Sequence, residues 1–542
     1  MLQDNPIWQT LTARLHIIVA TLATMLFTVI LAVAVGNGEM NQVAVASMGI
    51  VAIGLVLMLG DKYWVLIPFS YSTGLPAFPI GGRLLELPEI VGVLCTFTFV
   101  LRFALKRQKL AIFRREHAPI LLYAGWVAFI FVLHPVSFSA LGSSGVGLGG
   151  ARFYAKIILA LASFLVMANQ DLKEKDCKII IILTLIGSAL NTVYQISLYF
   201  IPSLFGMYVD MNVDPDSFYT WHQMLAIVPI LLISLAFSRY KASELLTSSR
   251  LWMPVGLFLC VILIALSGKR ALLASIPQIA ILAALLRREW GLFLLSLVAV
   301  LFGSAVIILG HGEMFHLPLT VQRAFSALPA QWDPEIESME GGFDPFRAEL
   351  RRQALLKIEE HPWVGEGYQI DLSLAVALSN QYVTRGGDIE IQCAPFALGS
   401  AWHNTWFGYA ADFGIPLSVI VAFLYYSMIR NSYLLSRTLP HGTMRSTLAV
   451  YLFITITLIA LRTHTSGHSA TDPFSFWWYF GVLISLIFSQ RQESTAQPPL
   501  EPSKGLAPQP PFGETNAPRR LFPMHRPENP SPVPLISRPP RH

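Results

Sequence analysis

Trp402-His403-Asn404-Thr405-Trp406 marks the junction where the chain turns from hydrophilic to apolar. Before it, residues 310–402 form the one long hydrophilic insertion in an apolar body. After it, an apolar run continues through Gly414 to about Ile429 and reads as a membrane helix. A titratable imidazole at such a boundary, beside a stretch carrying several arginines, is a functional-site candidate.

Composition sets the class. Of 542 residues, 54% are hydrophobic and 13% charged, whereas soluble domains average about 25% charged. Mean hydropathy is +0.55. Apolar runs near the ~20 residues that cross a bilayer recur throughout. A β-barrel would alternate over ~10-residue segments, and the runs here are continuous. The expected fold is therefore all-α: a polytopic membrane protein of about fourteen transmembrane helices with one large loop on the outside face. Candidate spans are 15–35, 43–60, 62–79, 87–105, 118–135, 152–168, 178–201, 221–238, 252–267, 270–286, 290–309, 404–429, 446–462 and 473–489. Pro68, Gly74, Pro76 and Pro79 interrupt the third, which reads as broken or re-entrant. Ala32-Val33-Ala34 resembles a signal-peptide cleavage site, but the apolar run before it exceeds an ordinary h-region.

Basic residues orient the spans. Lys106, Arg107, Lys109, Arg114 and Arg115 mark one cytoplasmic loop; Lys173, Lys175 and Lys178 mark another. Arg239, Lys241 and Arg250, then Arg287-Arg288, then Arg430, Arg437 and Arg445 continue the alternation. Both termini are expected in the cytoplasm and the 310–402 loop outside. The net charge of +5 reflects this clustering and implies no nucleic acid. The organisation expected is 1–309 as N-terminal membrane helices, 310–402 as the large outside loop, 403–489 as closing helices and 490–542 as a cytoplasmic tail. Fourteen of the 35 prolines fall from Pro498 onward, so the tail reads as disordered. The cysteines, Cys95, Cys177, Cys260 and Cys393, have no metal spacing and point to no disulfide. Neither a metal nor a cofactor is expected.

The loop is acidic, with thirteen Asp/Glu against six Lys/Arg over 310–402, so its arginines stand out. Asp344-Pro345 reads as a helix start, with a helix over 346–360 ending before Pro362. Arg347 and Arg351 then lie one turn apart on one face. The competing reading is a solvated helix whose cations pair with Glu349, Glu359 and Glu360. The glycines of Pro362-Trp363-Val364-Gly365-Glu366-Gly367-Tyr368 permit positive φ or close approach of a ligand. Arg270, in Ser267-Gly268-Lys269-Arg270, and Arg152 put positive charge on the outside face, against the usual bias; snorkelling to lipid phosphate is the alternative for Arg270. Lys156 lies one turn deeper than Arg152. Arg462, His464 and His468 crowd the last outside loop, and His222 stands near the outer end of its span. The two loop histidines read as ordinary rather than as metal ligands. Together these residues describe an imidazole and several guanidiniums at the outside face. Guanidinium forks suit phosphate oxygens, and a neutral histidine suits proton abstraction from a hydroxyl.

Arg347-x14-Pro362-x2-Gly365-x-Gly367 resembles a stretch of the O-antigen ligase and O-antigen polymerase superfamily. His403-Asn404-x9-Gly414 resembles that family's signature at the end of its large periplasmic loop. Ser267-Gly268-Lys269-Arg270-Ala271 resembles, more weakly, its turn at a periplasmic helix top. The resemblance covers about 220–490. It makes the 310–402 loop periplasmic and the range of transmembrane helices twelve to fourteen. It implies a metal-independent, inverting glycosyltransferase in the bacterial inner membrane, using an undecaprenyl-pyrophosphate-linked glycan. The acceptor would be a lipid A-core sugar, another lipid-linked glycan or a protein hydroxyl. It implies His403 as the base, with Arg270 and Arg347 on the pyrophosphate. Asn404, Arg351, Arg152, Gly365 and Gly367 complete the candidate substrate-binding set. The departures are fourteen expected spans against about twelve, Leu417 where the family has a small residue or tyrosine, and His222 where many relatives carry asparagine. The rivals are a lipid-linked oligosaccharide flippase or other transporter, which predicts internal symmetry and deep charges, and a non-enzymatic membrane scaffold.

Overall fold

The computed structural model describes residues 54, 56, 58–73, 78–80, 83–105, 115–136, 151–200, 222–245, 252–368, 404–462 and 474–496. Spans 15–35 and most of 43–60 lie outside them, as do His403, His464, His468, Cys393 and the tail from 497. The contacts divide the chain into Met1–Gln492 and Glu493–His542; of the second unit, only 493–496 are described.

The described residues are almost wholly helical. A 3-10 turn, Gly60–Val65, leads into α1, Leu66–Thr73. The eight residues of α1 rise about 12 Å, short of the ~30 Å hydrocarbon core; Pro68 lies inside this helix, and Gly74 and Pro76 lie outside the described residues. It packs on α5 (Glu174–Phe200), where a Cβ on Gly187 would sit 2.8 Å from Ser72 Cβ. A hairpin follows that the sequence reading did not anticipate: β1, Phe78–Ile80, antiparallel to β2, Arg83–Leu85, with Phe78 opposite Leu85. Then come α2 (Leu87–Ala104), α3 (Ala118–Leu133) and α4 (Ala151–Ala168). A capping box closes α2: the Glu86 side chain accepts from the third helical residue, and Glu89 accepts from the Glu86 N–H. Lys156 of α4 meets Glu86 at 2.7 Å and Glu89 at 4.0 Å. That pairing accounts for a lysine one turn into an apolar helix.

After α5 come a 3-10 turn, His222–Ala226, and α6, Ile227–Arg239. Then follow α7 (Trp252–Leu266), α8 (Arg270–Arg287) and α9 (Trp290–Gly310). Between α9 and Tyr368 lie α10, Leu319–Phe325, and α11, Pro334–Glu360. Residues 346–360 are helical as expected, but the start is corrected: the N-cap is Asp333, and Pro345 lies inside the helix. Both sites read Asp-Pro, and the earlier one begins the helix. Proline at 345 forgoes one backbone donor but does not end the helix.

The closing segment also differs. The single helix expected over 404–429 is two: α12, Thr405–Phe413, and α13, Ile415–Thr438, broken at Gly414. The chain ends its described part with α14 (Met444–Arg462) and α15 (Phe474–Ala496). Among the described residues, five helices are long and apolar enough to cross a membrane: 87–104, 174–197, 270–287, 293–310 and 444–462. Of these, α14 is the most enclosed, with 61% of its apolar window buried, against 6% for α9. α14 packs on α5, α6, α8 and α13. On α9, Leu294, Leu295, Leu301 and Phe302 are exposed. A helix apolar all round and this open belongs in a non-aqueous medium.

Candidate functional site

The site is built from α12 outward. Its first turn is capped by Asn404, whose Oδ1 accepts from Trp406 N at 3.0 Å and Phe407 N at 3.3 Å. Its last four carbonyls, which no helix can satisfy internally, each have a donor. Ala410 O accepts from Gly414 N at 3.0 Å, Ala411 O from Glu366 N at 3.1 Å, and Asp412 O from Gly367 N at 2.7 Å. Phe413 O accepts from Trp126 Nε1 of α3 at 2.8 Å. The exchange runs both ways, since Ile415 N, opening α13, donates to Pro362 O at 2.8 Å.

The Pro362–Tyr368 turn is therefore locked against the α12–α13 break, and its glycines are required by that contact. Gly365 (φ +64) and Gly367 (φ +67) are left-handed. A Cβ at Gly365 would lie 2.5 Å from Asp412 C, and one at Gly367 would lie 2.9 Å from His134 Cβ. Gly414 (φ +79) has the same property: its Cβ would meet Trp363 O at 2.2 Å. Tyr368 follows the turn into the bundle, its ring 5.2 Å from Tyr154 of α4 and 5.0 Å from Phe413. Burial pushes its hydroxyl well above the usual tyrosine range.

α11 rides on this unit. Leu350 and Ala354 pack with Ala411, flanked by Phe346, Ile358 and Phe407. Lys357 reaches Glu366 at 2.6 Å, and Glu366 N meets Ala411 O, so the C-terminal ends of α11 and α12 coincide. α11, which carries Arg347 and Arg351, is thus joined to α12 both through this apolar contact and through Glu366. Arg347 and Arg351 are exposed beside the packed ridge, and Arg351 Nε donates to Arg347 O at 3.3 Å. Arg352 forms a fork on Glu349, at 2.8 and 2.7 Å. That fork holds the Glu349 carboxyl below its usual range.

Arg270 opens α8 after the Ser267–Lys269 turn and is half-buried. Gly268 (φ +68) lets this turn lie on α10, where its Cβ would be 3.2 Å from Thr320 O and 3.8 Å from Arg323 Cδ. The side chain of Arg323, not singled out from the sequence, therefore lies against the turn that precedes Arg270. Burial lowers the Lys269 ammonium below its usual range. α10 touches both α8 and α11, linking the Arg270 turn to the arginine-bearing helix. Arg152 stands in the first turn of α4, and its side chain, like that of His222, lies outside the described residues. Arg462 ends α14 and donates to Ser275 of α8.

Sequence reading also missed Trp126 and His134. Trp126 sits in an apolar run with nothing to distinguish it. His134, the C-cap of α3, has its Nε2 buried without a hydrogen-bond partner among the described residues. Glu360, His361 and Glu366 bring ligand atoms within 4.8 Å of one another, but Lys357 already neutralises Glu366, which competes with a cation.

Asn404 carries two assignments, cap and substrate contact, and they separate experimentally. Asn404→Ser keeps a capping oxygen, whereas Asn404→Ala costs about 1 kcal/mol. Thermal unfolding should therefore place Ser near wild type and Ala below it. A serine variant that is stable but inactive would assign the carboxamide to the substrate.

No protein-family model and no curated protein sequence matches the chain.

Proposed function

We propose that the protein is a membrane glycosyltransferase of the O-antigen ligase or polysaccharide polymerase type. It moves a glycan from an undecaprenyl-pyrophosphate donor to an acceptor hydroxyl at the periplasmic face of the bacterial inner membrane. The chain crosses that membrane about fourteen times, with both termini cytoplasmic and 310–402 outside. His403, one residue before the α12 cap, takes the acceptor proton. The acceptor oxygen bonds to the anomeric carbon as the bond to pyrophosphate breaks, with inversion. Arg270 and Arg347, with Arg351 and Arg152 beside them, hold the departing lipid pyrophosphate. No metal takes part. Positioning and charge neutralisation supply most of the acceleration.

One observation carries this reading. The two loop patterns, Arg347…Pro362…Gly365-x-Gly367 and His403-Asn404…Gly414, are 36 residues apart from Gly367 to His403. They nevertheless form one backbone-bonded unit through Glu366, Gly367 and Ile415. That unit joins the arginine-bearing α11 to α12, which begins directly after the His403-Asn404 pair. A helix pair interlocked this way supports joint action of the cations and the imidazole.

The test is glycan transfer in membranes carrying the protein, with lipid-linked donor and acceptor supplied. Arg347→Ala should lose about 10–100-fold, the value of a charge-assisted contact. Arg347→Lys should recover only part, because an ammonium cannot form the fork. Full activity in a folded Arg347→Ala variant would remove the arginine's role. In a deletion strain, a pattern of single capped units would assign polymerase, and complete loss of capping would assign ligase.

A further inference from the structure

A cavity of about 420 Å³ opens between α1, α5, α6, α14 and α15, a size within the ~300–1,000 Å³ of ordinary ligand pockets. Its polar lining includes Thr184, Ser188, Asn191, Ser234, Tyr479 and Arg462. Small hydroxyl residues are ordinary at contacts between membrane helices, but a buried amide and a guanidinium on one hollow, Asn191 and Arg462, mark function.

The hydrogen bonds determine what the hollow offers. Thr184 Oγ1 donates to Ile180 O and Ser234 Oγ to Ile230 O, each at 2.8 Å. Their protons are thus spent on the helix backbone, which leaves these lining hydroxyl oxygens as acceptors. One of the Tyr451 and Tyr479 hydroxyls donates to the other at 3.1 Å. Asn191 Oδ1 is buried with no hydrogen-bond partner among the described residues, a costly state unless a donor arrives. The walls are therefore rich in acceptors, and the matching ligand is rich in hydroxyl donors. At one end of the cavity, Arg462 supplies a planar cation. Its bond to Ser275 anchors it to α8, five residues from Arg270.

We propose that this cavity is a saccharide subsite that takes a sugar ring through its hydroxyls, with an attached phosphate directed to Arg462. The ligand class is a glycosyl phosphate. The assignment rests on the glycosyl-transfer reading for the source of that sugar, and on the cavity alone for its chemistry.

The experiment is equilibrium binding to the full chain in lipid nanodiscs. The probes are hexose and N-acetylhexosamine 1-phosphates, the free sugars and inorganic phosphate, at up to about millimolar concentrations. At least one sugar phosphate should bind tenfold or more tighter than inorganic phosphate. Asn191→Leu should remove that preference, and Asn191→Asp, which keeps the acceptor, should restore most of it. Arg462→Lys should weaken sugar phosphate and leave free sugar unchanged. Size-exclusion profiles matching wild type qualify each variant. Binding of no probe overturns the proposal, as does equal binding of phosphate and sugar phosphate, or a preference untouched by Asn191→Leu. Sugar-phosphate binding that follows this pattern in a protein without transfer activity would sink the enzymatic reading and leave the subsite standing.

Discussion

Gly414→Ala is expected to destabilise the protein by about 2–6 kcal/mol, from a strained backbone and from overlap in a packed contact. Gly414 has φ +79 and ψ 162, a region essentially restricted to glycine. An added methyl would sit 2.2 Å from Trp363 O and 2.4 Å from Trp363 C. Neither atom can swing aside, because both belong to the backbone of the turn that caps α12. Relief would require breaking the Glu366, Gly367 and Ile415 bonds together. Against a total stability of about 5–15 kcal/mol, such a loss is large. Gly442→Ala supplies the control: φ there is +86, but nothing lies within 4 Å of the added Cβ. It should cost only the strain component, about 1–3 kcal/mol. Thermal unfolding of the three proteins in one detergent separates strain from overlap. Equal midpoints for the two variants would show that the turn and the helix break are not locked together.

His403→Ala should reduce glycan transfer by about 10²–10⁴-fold, the usual contribution of a positioned base, with stability unchanged. His403 directly precedes the Asn404 cap in the chain, and α12 packs on the arginine-bearing α11; on the proposed function His403 is the base that takes the acceptor proton. Single-turnover transfer is the measurement, with bound donor quantified separately. Loss of donor binding together with loss of rate would make the imidazole a substrate contact instead of a base.

Much of the helical organisation was legible because the apolar runs are long and continuous. Expected spans 87–105, 270–286 and 290–309 lie within one residue of α2, α8 and α9 at either end. Such runs exceed what any strand needs, and helices satisfy their own backbone. The misreadings share a cause. The helix break at Gly414 interrupts no apolar pattern, so nothing local announces it. Its partner, Trp363, lies 51 residues away. The start of α11 was read at Asp344 because Asp-Pro is a good local signal, yet Asp333-Pro334 carries the same signal earlier. Hydrophobic periodicity could not separate them in a helix with so many charges. Within the candidate site, Arg270, Arg347, Gly365, Gly367 and Asn404 were all singled out from sequence. The glycines take the positive φ that the sequence allowed, in a close contact with other parts of the same chain, and Asn404 serves as an N-cap. Trp126, His134 and Arg323 escaped notice because their roles arise only from what they touch.

By itself, the sequence determined that this chain is helical and has helices long and apolar enough to cross a membrane, since burying apolar surface and satisfying backbone polar groups depend on local composition. It also marked the positions where glycine and asparagine matter. Only the tertiary structure decided that Pro362–Tyr368 caps the end of α12, because four orphan carbonyls can take donors from anywhere in space. The structure alone, for the same reason, gathered Thr184, Asn191, Ser234 and Arg462 around one cavity: they sit on three helices, and only packing brings their hydrogen-bonding groups to a common hollow.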